Sequence, residues 1–249
     1  MLIRYFSDLH LEFIYPQYLN KFLKKIPLPK ENEVCVLAGD IGNPFTTNYD
    51  IFMKWISKNF IKTFVIPGNH EYYNKPKTMS EINEFMAEYF TQYDNITLLN
   101  NRYEIYQDYC FIGSILWSKI TNPSNKINDV YRITDFDIPK YNALNAECID
   151  FLNSVIKDKS NCIIITHHVP SDSIIDPKYK VSDMLPYNQW FCCPMDEFIE
   201  RNKSQIKLWF YGHTHTSCDK IIHGVHILGN PIGYPQENDN IDLGKCVEI

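Results

Sequence analysis

Five times along the chain, a short run of apolar or β-branched residues breaks off into a turn that carries imidazole, carboxylate or amide groups. Residues 3–7 lead to Asp8-Leu9-His10, residues 34–38 to Gly39-Asp40, and residues 63–66 to Pro67-Gly68-Asn69-His70-Glu71. Further on, residues 162–166 lead to His167-His168, and residues 207–211 to Gly212-His213-Thr214-His215. Residues 34–38 are continuously apolar and read as a strand covered on both faces, since a half-exposed strand alternates apolar with polar positions. Polar groups delivered just past the carboxyl ends of strands are where open α/β sheets build their sites.

Between these strands the period changes. Apolar residues recur at three- and four-residue spacing in residues 16–25, 49–60, 80–93 and 141–157, which predicts amphipathic helices. Ser80 reads as the N-cap of the third, with Glu81 and Glu84 in its first turn. Residues 96–99, 103–106 and 109–116 read as short strands, the last two a hairpin punctuated by Asp108. The polar stretches 118–139 and 170–194 read as long loops, and loops of that length are usually functional or mobile. A short helix is expected over 194–202, with Pro194 at its first position. Residues 220–223 and 225–228 pair across Gly224, and everything after about 218 reads as closing β structure. Alternating strands and helices predict βαβ units, and with no linker or compositional step the reading is one domain over residues 1–249.

Composition narrows the function classes. Of 249 residues 45% are hydrophobic and 22% charged, an ordinary globular balance with ample core. A net charge of −6 argues against broad adhesion to nucleic acid or an anionic membrane, so no stable nucleic-acid or membrane partner is expected. A phosphate substrate would then be met by metal charge. No apolar run approaches the roughly 18 residues that a membrane span needs. The N-terminus enters a strand with no basic-then-apolar leader, so a soluble, unexported, cytoplasmic protein is expected. Eight cysteines form no CxxC pair, and Cys35 and Cys162 fall inside strands; free thiols in a reducing compartment are the reading. Oligomeric state is left open.

Taken singly, the strand-end residues have ordinary roles. Asp8 or Asp40 could form a turn, Asn69 could be a turn amide, and His213 and His215 alternate as on a surface strand. Taken together, Asp8, His10, Asp40, Asn69, His167, His213 and His215 are more ligands than one first-row ion requires, and suit two ions sharing a carboxylate. Two ions about 3.5–4 Å apart clamp both the attacking and the leaving oxygen of a phosphoryl displacement. They also lower the pKa of a bridging water from about 16 towards 7.

The order of these residues resembles the calcineurin-like metallophosphoesterases, whose blocks are D-x-H, G-D, G-N-H-E/D, a strand-terminal H and G-H-x-H. All five are present, as Asp8-Leu9-His10, Gly39-Asp40, Gly68-Asn69-His70-Glu71, His167 and Gly212-His213-Thr214-His215. Residues 113–117, 166–171 and 229–235 look like a compact, bacterial-type branch of that family. The resemblance implies a four-layer α/β/β/α sandwich of two mixed sheets. It also implies one divalent ion held by Asp8, His10, Asp40 and His215, and a second held by Asp40, Asn69, His167 and His213. His70 is then no ligand but the general acid that faces the substrate, a role that suits a pKa near about 6.5. Asn69 and His70 would touch the substrate, with Arg132 as a rim contact able to meet phosphate bidentately.

Glu71 is expected to orient an imidazole or cap the turn after it, His168 to stand behind the ligands, and His223 and His226 to be structural. Asp172, Asp176 and Asp183 read as solvated loop carboxylates. The implied reaction is hydrolysis of a phosphoric ester by attack of a metal-bridging hydroxide, with a small phosphodiester or nucleotide-type substrate favoured. Alternatives are a phosphomonoesterase or protein phosphatase of the same fold, or a non-catalytic scaffold. The sequence does not choose among Mn²⁺, Fe, Zn²⁺ and Ni²⁺, since imidazole, carboxylate and amide tolerate all of them.

Overall fold

The strand predicted over 34–38, covered on both faces, needs a layer on each side, and a computed structural model describing residues 1–124, 126–237 and 241–249 supplies them. One sheet is built from β1 (Leu2–Phe6), β2 (Val34–Ala38), β3 (Lys62–Ile66) and β4 (Ile96–Leu98), all parallel. Its outer edge is β11 (Cys246–Glu248), antiparallel to β1. The second sheet contains β5 (Arg102–Tyr106), β6 (Tyr109–Ser114), β7 (Cys162–Thr166), β8 (Ile206–Tyr211), β9 (Cys218–Ile222) and β10 (Val225–Gly229). Its order is β5-β6-β7-β8-β10-β9, parallel from β6 to β10 with an antiparallel strand at each edge.

Successive side chains of a strand point to opposite faces, and that alternation builds the layers. Ile3, Val36, Phe64, Phe111, Ile163 and Phe210 fill the space between the sheets, with Phe64 stacked on Phe111 at 3.9 Å between ring centroids. Their neighbours Cys35, Leu37, Val65, Ile112, Ile164 and Trp209 face outwards into the larger core, which the helices cover. Here α1 (Pro16–Leu23), α2 (Thr47–Asn59) and α3 (Met79–Tyr89) come after strands of the first sheet, while α5 (Ile138–Ile156) and α6 (Asp196–Asn202) belong to the second. The expected four-layer α/β/β/α sandwich of two mixed sheets is therefore present. No described helix is long and apolar enough to cross a membrane, and all eight cysteines are unbonded.

Local chemistry corrects several boundaries. The cap of α3 is Thr78 rather than Ser80: Thr78 and Glu81 bond each other's backbone N–H in a capping box, which satisfies two orphan donors that Ser80 would leave open. Helix α5 starts at Ile138, where the Asp137 carboxylate accepts from Lys140 N. Helix α6 starts at Asp196 behind Met195, so Pro194 precedes the helix instead of opening it. The stretch 118–139 contains a further short helix, α4 (Asn128–Arg132), and 170–194 contains three 3-10 turns. Closing β structure accounts for only part of the chain beyond residue 218, because 231–237 folds back over the strand ends as a loop. Residue 125 of the expected first loop and residues 238–240 of the expected closing segment lie outside the described residues.

Candidate metal centre and active site

Parallel strands aim their carboxyl ends in one direction, and the two sheets bring the ends of β1, β2, β3, β7 and β8 together. The chain must then turn sharply inwards at each end. Asp8, His10, Asp40, His213 and His215 all do so in the left-handed backbone region, with φ of 54, 46, 52, 74 and 49°. Non-glycine residues seldom adopt this conformation, and holding five of them there costs of order 1–3 kcal/mol each, which the surrounding structure must offset. Gly39 and Gly68 make room for the turns. A Cβ on Gly39 would lie 2.6 Å from His167 Nδ1, and one on Gly68 would collide with the Asp40 carboxylate.

Among the described residues, three donor groups have atoms mutually within 4.8 Å. His10, Glu12 and His70 form one, while Asp8, His10 and His215, and Asp40, His167 and His213, form the two that gather the predicted ligands. Asp40 stands between them, with Oδ1 3.4 Å from His167 Nε2 and Oδ2 3.9 Å from His10 Nε2. Asn69 turns its Oδ1 towards His167 Nε2 at 3.0 Å. All seven predicted ligands therefore converge on one place, and apart from His215 they are buried.

The ring orientations fit cations. His167 donates from Nδ1 to Ala38 O at 3.0 Å, and His215 from Nδ1 to Glu237 Oε2 at 2.6 Å, which leaves an Nε2 lone pair on each ring facing inwards. His213 directs Nε2 at Trp190 O, 3.4 Å away. The Asn69 amide donates to Asp129 Oδ1 at 2.8 Å and to Tyr73 Oη at 3.1 Å, fixing its oxygen towards His167. Lone pairs thus meet lone pairs: His10 Nε2 and His215 Nε2 are 3.0 Å apart, and His167 Nε2 and Asn69 Oδ1 likewise. Only a positive charge between them, a proton or a metal ion, makes such contacts favourable, and nitrogen and oxygen donors of this kind suit first-row divalent ions.

Proton affinities carry the same message. Burial opposes a charged ring, yet the Asp40 carboxylate beside His167 pushes it up to about 10, and Asp8 with Glu237 pushes His215 up to about 9. Burial also works against the Asp40 carboxylate, but the surrounding histidines hold it well below the usual range. His213 is pulled well below the ordinary imidazole value by burial and by His168 and His167. The centre therefore attracts positive charge strongly but unevenly.

The remaining predicted residues take distinct places. His70 lies beside the clusters, with Nδ1 donating to Glu12 Oε1 at 3.0 Å, Nε2 4.0 Å from Asp40 Oδ2, and its ring 4.3 Å from that of Tyr73. Burial opposes its charged form, but Asp40 and Glu12 raise its pKa overall. Among the described residues the Glu71 carboxylate bonds neither an imidazole nor a later turn. It accepts from the N–H groups of Gly68, Ile41, Asp40 and Gly42 at 2.6, 2.7, 3.1 and 3.2 Å, lashing the β2 loop to the β3 loop. Buried next to Asp40, its carboxyl is raised to about 7. His168 points both ring nitrogens into the protein, at Ile115 O and Tyr141 Oη. Arg132 lines a cleft that it shares with His70.

Five contributors were not singled out from the sequence as site residues. Glu12 spans the Nδ1 atoms of His70 and His10. Tyr234 stacks on His10 at 4.5 Å and places its hydroxyl 3.2 Å from His70 Nε2. Asp129, Tyr73 and Glu237 fix Asn69 and His215. Glu12, two residues after His10, and Tyr73, two residues after Glu71, carried a positional hint, and Tyr234 falls in the 229–235 stretch that carries the branch resemblance. Asp129 and Glu237 sit in stretches read as loop or closing strand, where nothing in the local pattern marks them.

Known proteins share both the sequence and the fold. A family model described as calcineurin-like phosphoesterase matches residues 1–217. An uncharacterized protein of Acanthamoeba polyphaga mimivirus is 34% identical over 100% of this chain and 96% of its own length. A probable cyclic nucleotide phosphodiesterase of Coxiella burnetii is 25% identical over 84% of this chain and 73% of its own. Among solved structures, the phosphopantetheinyl hydrolase of Mycobacterium tuberculosis superposes with a TM-score of 0.73 at 14% identity, covering 94% of this chain and 90% of that one.

Proposed function

The chain belongs to the calcineurin-like phosphoesterases and is thus a metal-dependent phosphoric ester hydrolase, and we propose that it uses two divalent ions joined through Asp40, with His70 as the general acid. The observation that carries this reading is the pair of ligand clusters joined through Asp40, with the His70 imidazole alongside, linked to His10 through Glu12. Asp8, His10, Asp40 and His215 would hold one ion, and Asp40, Asn69, His167 and His213 the other. Divalent ions held there would neutralise phosphoryl charge and lower the pKa of a bound water.

The chain's own groups supply the rest. Glu12 accepts a hydrogen bond from His70 Nδ1 and so leaves Nε2 facing Asp40 and the Tyr234 hydroxyl, beside which the ester oxygen would lie. As a new bond forms from water oxygen to phosphorus, the opposite P–O bond breaks and His70 delivers its Nε2 proton to the departing oxygen. Burial opposes the charged ring, but the Asp40 and Glu12 carboxylates raise its pKa above the ordinary imidazole value. Tyr234 and Tyr73 flank the imidazole and restrict its swing.

A small phosphodiester or nucleotide-type ester is the substrate that this reading favours. Bis-p-nitrophenyl phosphate and p-nitrophenyl phosphate, offered to Mn²⁺-loaded protein, should both be hydrolysed, the diester faster. His70→Ala should keep metal and fold yet lose about 10²–10⁴-fold in kcat, as removal of an acid–base group does, whereas Asp40→Ala should lose metal. Equal metal loss in the two variants would show that acid and ligand have been wrongly separated.

A further inference from the structure

Two clefts share His70, Tyr73, Asn128 and Tyr234 as lining, and Asp40, Asn69, His213 and His215 line the first alone. The first, of about 440 Å³, continues from the metal donors to a surface formed by Ile175, Tyr179, Met184, Tyr187 and Phe191. Phe191 lies 4.8 Å from the His213 ring, so the aromatic wall begins at the donor cluster itself. Among the described residues no lysine or arginine lines this cleft, whereas Glu237 does. A substituent bound there gains from apolar and ring contact and meets no cation, which selects a flat uncharged group.

The second cleft is different. Glu12, Asn43 and Arg132 line it along with Phe13 and Pro235. Arg132 is the sole lysine or arginine in either cleft, and its guanidinium has no ion pair or hydrogen bond among the described residues. An exposed guanidinium with its donors unspent matches a carboxylate, phosphate or other acceptor-rich group.

We propose that the enzyme takes an unsymmetrical, open-chain phosphodiester, its phosphorus at the divide, with a flat uncharged substituent along Tyr179, Tyr187 and Phe191 and an acceptor-rich one reaching Arg132. The inference rests on the hydrolase reading above and adds its substrate class. A monoester occupies one cleft only. A cyclic ester closes both ester oxygens into one ring and leaves the second cleft empty.

The probes are the p-nitrophenyl ester of thymidine 5′-phosphate, p-nitrophenyl phosphate and 3′,5′-cyclic AMP, given to the metal-loaded full chain. The open diester should show the highest kcat/KM. Tyr187→Ala should lower kcat/KM for both p-nitrophenyl esters by about tenfold, chiefly through KM. Arg132→Ala should lower the diester-to-monoester ratio of kcat/KM by about tenfold. In a His70→Ala background, equilibrium binding of the diester should weaken in the same pattern. Equal loss on diester and monoester in Arg132→Ala would place the guanidinium on the phosphoryl group and overturn the two-cleft assignment. So would preference for cyclic AMP. If the unaltered protein turns over both p-nitrophenyl esters while its His70→Ala form binds the diester no tighter than the monoester, the hydrolase reading stands and this one falls; turnover of neither removes both.

Discussion

Replacing Asp129 tests how the centre is held from outside its donor set. The carboxylate is buried, and its Oδ1 accepts both from the Asn69 amide and from the Tyr73 hydroxyl, while Oδ2 has no partner. Asn69 has its oxygen towards His167 because its nitrogen is spent on Asp129 and Tyr73. In Asp129→Ala the amide keeps one weaker partner and can turn. A hydrogen bond to a charged group contributes about 1.5–3 kcal/mol. If that orientation energy is lost, the ion on the Asp40, Asn69, His167 and His213 cluster should bind about 10–100-fold more weakly, the range seen when a ligand's supporting partner is removed. Asp129→Asn retains an acceptor without the charge. Charge-assisted bonds are about twice as strong as neutral ones, so its loss should be about half in free energy, or about 3–10-fold. Titration of chelator-stripped protein with Zn²⁺ against a chromophoric chelator reads the two binding steps separately. One step should weaken and the other stay. Two unchanged steps in Asp129→Ala, or equal losses in the Ala and Asn variants, would refute the argument that Asp129 works by aiming the Asn69 oxygen.

The same geometry fixes other outcomes. Glu12→Ala should weaken the ion on His10, whose Nδ1 it meets at 3.4 Å, and lower kcat of the fully metal-loaded protein by about 10–100-fold, since His70 loses the acceptor that fixes its tautomer; full kcat in the loaded variant would mean that the Glu12 contact to His70 is incidental. Gly68→Ala drives a Cβ into the Asp40 carboxylate and to 2.7 Å from Asp40 N, so it should cost about 1–3 kcal/mol and reduce metal uptake, read by thermal unfolding and metal analysis. His168 is held down to about 3 by burial and by His167, against an ordinary value of 6.5. Its folded pKa is depressed, so as pH falls the unfolded chain takes the proton first. The stability is present above pH 6.5 and is lost as pH falls towards about 3. Chemical unfolding of stripped protein should therefore show a contribution of up to about 1.4 kcal/mol per pH unit in that window, absent from His168→Gln; parallel profiles would place the proton elsewhere.

How much of this was legible in the chain depends on where the signal was stored. The continuous apolar run at 34–38 gave a doubly covered strand, and the strand-end motifs located the donor residues that the fold brings together, because a strand's end and the turn after it are local events. The same locality explains the misplaced caps. Thr78 and Ser80 are both good cap residues, and only the reciprocal bond between Thr78 and Glu81 separates them.

The donors' supports are another matter. Asp129 lies 60 positions from the Asn69 that it holds, Tyr234 lies 164 from His70, and Glu237 lies 22 from His215. Each reaches the site from a stretch with no apolar period, where a tyrosine or a carboxylate looks like any other surface residue. Glu71 sat inside a motif, yet its work on four backbone N–H groups depends on two loops meeting. The sequence by itself determined which residues the strand ends present, since that is a matter of period and turn chemistry. Only the tertiary structure decided which nitrogen of each ring faces inwards, which carboxylates steady the donors, and that two unlike clefts flank His70, because those are set by partners far away along the chain.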